Sequence, residues 1–341
     1  MSRQHIVEID GLRGMAALAV ALFHYFSRYD ALYGHSFTPP AFAEYGYLGV
    51  HLFFVISGFC VMNAASVIDR PLDFLWARLV RLYPAFVIAL LLTFVVVALF
   101  GLAGRESGFN VLAVNLLMIQ EYFGIAHIDD VYWTLTLELS FYAWISLFLL
   151  FNQLKNIEPW LLVWVVLSAV MTLEAFNIQT GIVIRELFLL QYIEFFATGI
   201  CIFGLQKNRD KRMTHILLAA CMLSIFSAYP GDTALYLFAL IGIFYLAVTK
   251  NIWCLTARPI VFLGAISYAF YLVHQNIGYV IINIAYANGV PGYLGVILAL
   301  CLTMTIACGI TFLVERPLRV KLASWYRGNN KVQRMADRLS F

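Results

Sequence analysis

The chain has 341 residues, 62% of them apolar and only 12% charged, with a mean hydropathy of +0.84 and a formal net charge of +3. Soluble domains carry about 25% charged residues, so a soluble enzyme is excluded, and so small a charge excess gives no reason to expect a nucleic-acid partner. What remains is an all-α polytopic membrane bundle, because an open sheet would leave backbone groups unpaired in hydrocarbon and a barrel would show short alternating segments.

Apolar stretches long enough to cross a ~30 Å hydrocarbon core fall at about residues 10–28, 47–67, 83–103, 131–151, 159–178, 186–205, 214–230, 232–249, 259–284 and 292–314, about ten spans in all. The first is preceded by Glu8 and Asp10, and no small-residue cleavage site follows it, so we read it as retained and not as a signal peptide. Residues 110–125 are apolar but shorter and contain Gln120 and Glu121, which reads as a half-buried or re-entrant helix. With ten spans and both termini on one side, nineteen of the 22 Lys and Arg residues share that side, notably Arg70, Arg78, Arg81, the run from Lys207 to Arg212 and the tail from Arg316 to Arg338. Only Arg28, Arg105 and Arg185 fall outside. Positive-inside sorting makes the favoured side the cytoplasm. Residues 1–320 are then the membrane domain, and 321–341 a basic cytoplasmic tail suited to anionic lipid headgroups. Six cysteines are scattered without a C-x-x-C, so neither a metal site nor a disulfide framework is expected.

Ionisable residues inside spans are expensive and usually face a cavity or a partner. His24, Glu138, Glu194 and His274 are the main ones. Arg13 and His24 are eleven residues apart, which on a helix returns them to within about 20° of one face at a separation of ~16 Å. The wall they define runs from the cytoplasmic mouth into the membrane. Arg78 and Arg81, three apart, share a helical face at the same mouth, and two guanidiniums presented together suit phosphate. The plainer alternative is that they anchor a loop. Ser267, Tyr271 and His274 also share a face, fit either for an acceptor or for hydrogen bonds between packed helices. His51 and Glu194 are weaker candidates. His24 has a plain alternative too, a buried ring bonded to a neighbouring carbonyl, and Glu138 could serve a polar helix contact. Trp133, Tyr142 and the many Phe residues read as packing and interfacial groups, and Gly11, Gly14, Gly46, Gly49, Gly58 and Gly199 as sites of close helix approach.

In order and spacing, "IDGLRGMAALAVALFHYF", "GVHLFFVISGF", "RLVRLYP", "YWTLTLELSFY", "ISYAFYLVH" and "VERPLR" together resemble the acyltransferase-3 family of integral-membrane O-acyltransferases, over about residues 8–320. The resemblance implies ten core helices, an acyl-coenzyme A cosubstrate, usually acetyl-CoA, with no tightly bound cofactor, and a hydroxyl acceptor on a glycan or related molecule. It also implies a bacterial cytoplasmic membrane. The family's R-x-x-R motif matches Arg78 and Arg81, its G-L-R-G arginine Arg13, its first-helix histidine His24, and the glutamate of its W-[ST]-L-x-x-E motif Glu138. Many members have Asp where this chain has His51, and an aromatic residue and proline after the late histidine, where His274 is followed by Gln275 and Asn276. Those departures bear on the acceptor, for which His51, Ser267, Tyr271 and His274 are the candidates. On this reading Arg13, Arg78 and Arg81 hold the donor's phosphorylated head, and Glu138 orients His24. An unperturbed imidazole has a pKa near 6.5, which suits a general base, and on this reading His24 takes the acceptor's proton or carries the acyl group itself. The competing class is a transporter or flippase for a polar or lipid-linked substrate, which would also want buried charges around a cavity.

Overall fold

The computed structural model describes residues 6–172, 181–207 and 212–338. Residues 173–178 of the fifth expected span, 208–211 of the basic run and 339–341 of the tail lie outside the described residues. All regular structure among the described residues is helical. Among the described residues, the α-helices of eight residues or more are α1 (Val7–Phe23), α2 (Gly49–Ala65), α3 (Pro71–Phe100), α4 (Trp133–Leu150), α5 (Ile157–Thr172), α6 (Ile193–Gln206), α7 (Arg212–Ala228), α8 (Gly231–Val248), α9 (Arg258–Val273), α10 (Gln275–Ala287), α11 (Gly292–Gly309), α12 (Arg316–Gly328) and α13 (Asn330–Arg338).

Among the described residues, six helical stretches are long and apolar enough to cross a membrane: Ala41–Ala65, Pro71–Phe100, Asp130–Leu150, Leu154–Met171, Gly231–Val248 and Gly292–Gly328. The α9 and α10 pair makes a seventh if it is taken as one span, bent by 76°. These account for seven of the expected spans; of the other three, 186–205 and 214–230 hold shorter apolar helices and 10–28 is helical throughout. The 10–28 span is α1, continued by a π-helical turn at His24–Arg28 and a short helix at Tyr29–Tyr33. The 214–230 span is α7. The 186–205 span starts late, because Leu189 and Gln191 take left-handed backbone angles, φ 51° and 86°, that end a short Ile182–Leu187 helix before α6 begins. Segment 110–125 is a Phe109–Asn115 helix followed by a 3₁₀ turn at Gln120–Phe123, too short to cross.

Two glycine contacts set the core. A Cβ on Gly264 of α9 would lie 2.0 Å from the Asp10 carbonyl of α1, and one on Gly199 of α6 would lie 2.0 Å from the Val55 carbonyl of α2. Only glycine lets backbones approach so closely. Helix α3 opens with Pro71 in its first turn, where proline's fixed φ suits a helix start. It runs on through Pro84 without ending. Arg78 and Arg81, expected just before the third span, are therefore in the same continuous helix as that span. The basic tail is folded back on the start of α3. Arg70 donates to Asp73 (2.8 Å), Asp337 (2.7 Å) and Gln333 (2.8 Å), the Tyr326 hydroxyl donates to Asp73 (2.7 Å), and the Trp76 ring stacks on Tyr326 with centroids 5.1 Å apart.

Candidate active site

Helices α1, α2, α3 and α9 enclose two adjoining cavities that share Arg13, Cys60, Arg81, Ser267 and Tyr268 in their walls. The larger, about 440 Å³, lies at the tail end of the bundle and is lined by Arg13, Arg78, Arg81, Arg316 and Arg319, with Asp10 and Glu315 as its carboxylates. Five guanidiniums against two carboxylates make a strongly positive chamber, which favours a ligand carrying several negative charges. The smaller, about 80 Å³, continues inward between Val50, Phe53, Phe54, Ser57, Thr134, Glu138 and Tyr271. Its largely apolar wall suits a narrow, uncharged chain.

Arg13, Arg78 and Arg81, predicted to act together, do line one chamber. Arg78 is buried, with its guanidinium 5.7 Å from the Phe74 ring centroid and 6.0 Å from that of Tyr142. Its guanidinium lies against two aromatic rings, a contact that an ammonium would reproduce less well. Glu138 takes a hydrogen bond from the Tyr142 hydroxyl and a longer one, 3.5 Å, from Ser57. It stands in the smaller cavity on the side of Arg13 and Arg81, and no hydrogen bond joins it to His24.

His24 pairs instead with His274. Its Nδ1 is 2.9 Å from the Val20 carbonyl and 3.0 Å from His274 Nε2, and the ring centroids are 4.9 Å apart. His274 is fully buried at the bend between α9 and α10, with Nδ1 2.8 Å from the Tyr271 carbonyl. Tyr271 is in the wall of the smaller cavity and its carbonyl is bonded to His274, which joins the histidine pair to that wall; neither histidine lines either cavity, and His24 is partly exposed. The Tyr271 hydroxyl donates to the Val131 carbonyl (3.1 Å) and lies 3.0 Å from Thr134 Oγ1, while the Ser267 hydroxyl donates to Gly264 (2.8 Å). Of the face predicted from Ser267, Tyr271 and His274, the first two line the cavities and the third turns to His24. His51 packs away from both, its Nε2 3.1 Å from the Tyr229 hydroxyl and its ring edge-on to Phe195. Glu194 is buried on α6 and lines neither cavity.

Arg316 and Arg319 were not singled out as donor residues from the sequence. Their signal was present: "RPLR" repeats the i, i+3 arginine spacing of "RLVR". It lacked only the fold that brings the chain's last apolar segment beside α1 and α3.

A model of the family described as an acyltransferase domain matches residues 6–314. A protein of Acidianus two-tailed virus named as an acetyltransferase is 24% identical over 294 residues, covering 80% of this chain and 84% of that protein. A Komagataeibacter xylinus protein named as the membrane-bound transacylase BcsY is 28% identical over 298 residues, 78% of this chain and 71% of its own. No solved structure matches at a significant level.

Proposed function

Because the chain belongs to the acyltransferase-3 family, we propose that this membrane acyltransferase moves an acyl group, acetyl first among the candidates, from an acyl-coenzyme A thioester to a hydroxyl of a glycan or related acceptor, with His24 as general base. The observation that carries the reading is the change of character along the two cavities. A chamber with five arginines adjoins a smaller, largely apolar slot with Tyr271 in its wall, and the Tyr271 carbonyl is bonded to His274, the partner of His24. Coenzyme A has the same polarity from end to end, a phosphorylated head on a slender pantetheine arm. Arg13, Arg78, Arg81, Arg316 and Arg319 would take the head, and the slot would take the arm, bringing the thioester toward His24. In the reaction the acceptor's oxygen attacks the thioester carbonyl as its proton passes to His24. The tetrahedral intermediate then collapses, the carbon–sulfur bond breaks, and the coenzyme A thiolate leaves and regains a proton from the imidazolium. With the arginine-rich end facing the cytoplasm of a bacterial inner membrane, as the charge distribution expects, the donor is drawn from the cytosol.

The test is transfer of radiolabelled acetyl from acetyl-CoA to candidate glycans by purified protein in nanodiscs. His24→Ala should cost about 100- to 10,000-fold in rate and leave coenzyme A affinity within twofold. A wild-type rate from well-folded His24→Ala protein would leave the histidine a packing residue.

A further inference from the structure

We propose that His274 is a positioning residue that fixes His24 in the one tautomer whose Nε2 lone pair can receive the acceptor's proton. The proposal rests on the reading of His24 as the base and concerns how that base is set. A backbone carbonyl only accepts hydrogen bonds, so His274 Nδ1, 2.8 Å from the Tyr271 oxygen, carries a hydrogen. The facing nitrogens, His274 Nε2 and His24 Nδ1, are 3.0 Å apart, and two N–H groups set against each other would repel, so one of them is a lone pair. His24 Nδ1 also lies 2.9 Å from the Val20 carbonyl, again only an acceptor, which places the hydrogen on His24 Nδ1 and the lone pair on His274 Nε2. A neutral His24 then has its lone pair on Nε2, and none of the described residues is hydrogen-bonded to that atom.

Val20 alone is a poor guarantor of this state. Its oxygen already takes the backbone N–H of His24, so the ring shares an occupied acceptor. The His274 lone pair has no other claimant among the described residues, and the residue that bears it is buried with its backbone tied on both sides. His274 is 0% exposed, its backbone N–H donates to the Phe270 carbonyl (3.0 Å), and its backbone carbonyl takes the Tyr25 hydroxyl at 2.6 Å. Tyr25 follows His24 directly in the chain, so the bend that carries one histidine is tied to the turn that carries the other. A third group that orients a base through its far nitrogen is the arrangement general bases use elsewhere, with a neutral imidazole here in place of a carboxylate.

The experiment reads the tautomer directly, by nitrogen-15 NMR of histidine-labelled protein in nanodiscs without substrate, and then the rate. Wild type should show His24 protonated on Nδ1 and bare on Nε2. His274→Ala should show a tautomer mixture at His24 and a kcat at least tenfold lower, with coenzyme A affinity unchanged. His274→Gln, whose amide oxygen reaches the place of Nε2, should restore the single tautomer and most of the rate, whereas His274→Asn, which is too short, should not. A hydrogen on His24 Nε2 in the wild type, or an unaltered tautomer and rate in His274→Ala, would overturn the proposal. Because the NMR arm needs no turnover, it fails separately from the base reading, which full transfer by His24→Ala would sink.

Discussion

Replacing Arg81 and Arg319 one at a time by alanine should separate the inner from the outer part of the proposed donor chamber. Arg81 is half-buried and belongs to the walls of both cavities, whereas Arg319 is exposed at the outer end. A charge-assisted hydrogen bond to phosphate in a partly desolvated site is worth about 1.5–3 kcal/mol, which at about 1.4 kcal/mol per tenfold is roughly a 10- to 150-fold loss of affinity for Arg81→Ala. An exposed ion pair is worth about 0–1 kcal/mol, so Arg319→Ala should cost no more than about fivefold. Salt sharpens the contrast, since at about 1 M the screening length is only ~3 Å and exposed pairs fade while buried ones persist. Calorimetric titration of coenzyme A into nanodisc-held protein at low and high salt measures both. Equal losses from the two substitutions, or an Arg81 effect that salt abolishes, would refute the layered chamber.

Arg78→Lys should bind coenzyme A more weakly than wild type in the same titration, because it restores the charge but not the plane packed between Phe74 and Tyr142. Gly264→Ala should lower thermal stability by about 1–3 kcal/mol or more, since its Cβ would meet the Asp10 carbonyl at 2.0 Å; an unchanged melting curve would show that α1 and α9 can part freely. Glu138→Gln should leave the His24 nitrogen-15 signals unchanged, because the carboxylate bonds to Tyr142 and Ser57 and not to the imidazole. A single cysteine at Lys207, on a background without the native six, should resist a membrane-impermeant maleimide in intact cells; rapid labelling there would reverse the proposed orientation and with it the donor side.

Local patterns in the sequence carried the helical class, most of the spans and the arginine pair, because hydropathy and i, i+3 spacing are properties of contiguous residues. Three features were out of reach for the opposite reason. The His24 and His274 contact joins residues 250 apart, and nothing near either position names the other. The stop before α6 depends on two left-handed residues, Leu189 and Gln191, neither of them the glycine that would have announced it. The expectation that Glu138 orients His24 rests on the cost of both in a membrane, and no local pattern joins the two. Folded, the nearby hydroxyls of Tyr142 and Ser57 satisfy the carboxylate first.

The arginine chamber also has a history in time. Its walls come from both ends of the sequence, Asp10 and Arg13 on one side and Glu315, Arg316 and Arg319 on the other, so roughly 300 residues separate the first wall from the last. At about 5–20 residues per second, a ribosome needs on the order of 15 to 60 s between them. Throughout that interval α1 is in place with its arginine facing an unfinished enclosure. A nascent chain halted between Arg78 and Glu315 holds His24 and Arg78 but lacks the closing side of the mouth, so the polyanion site comes into being only once Glu315, Arg316 and Arg319 have been made.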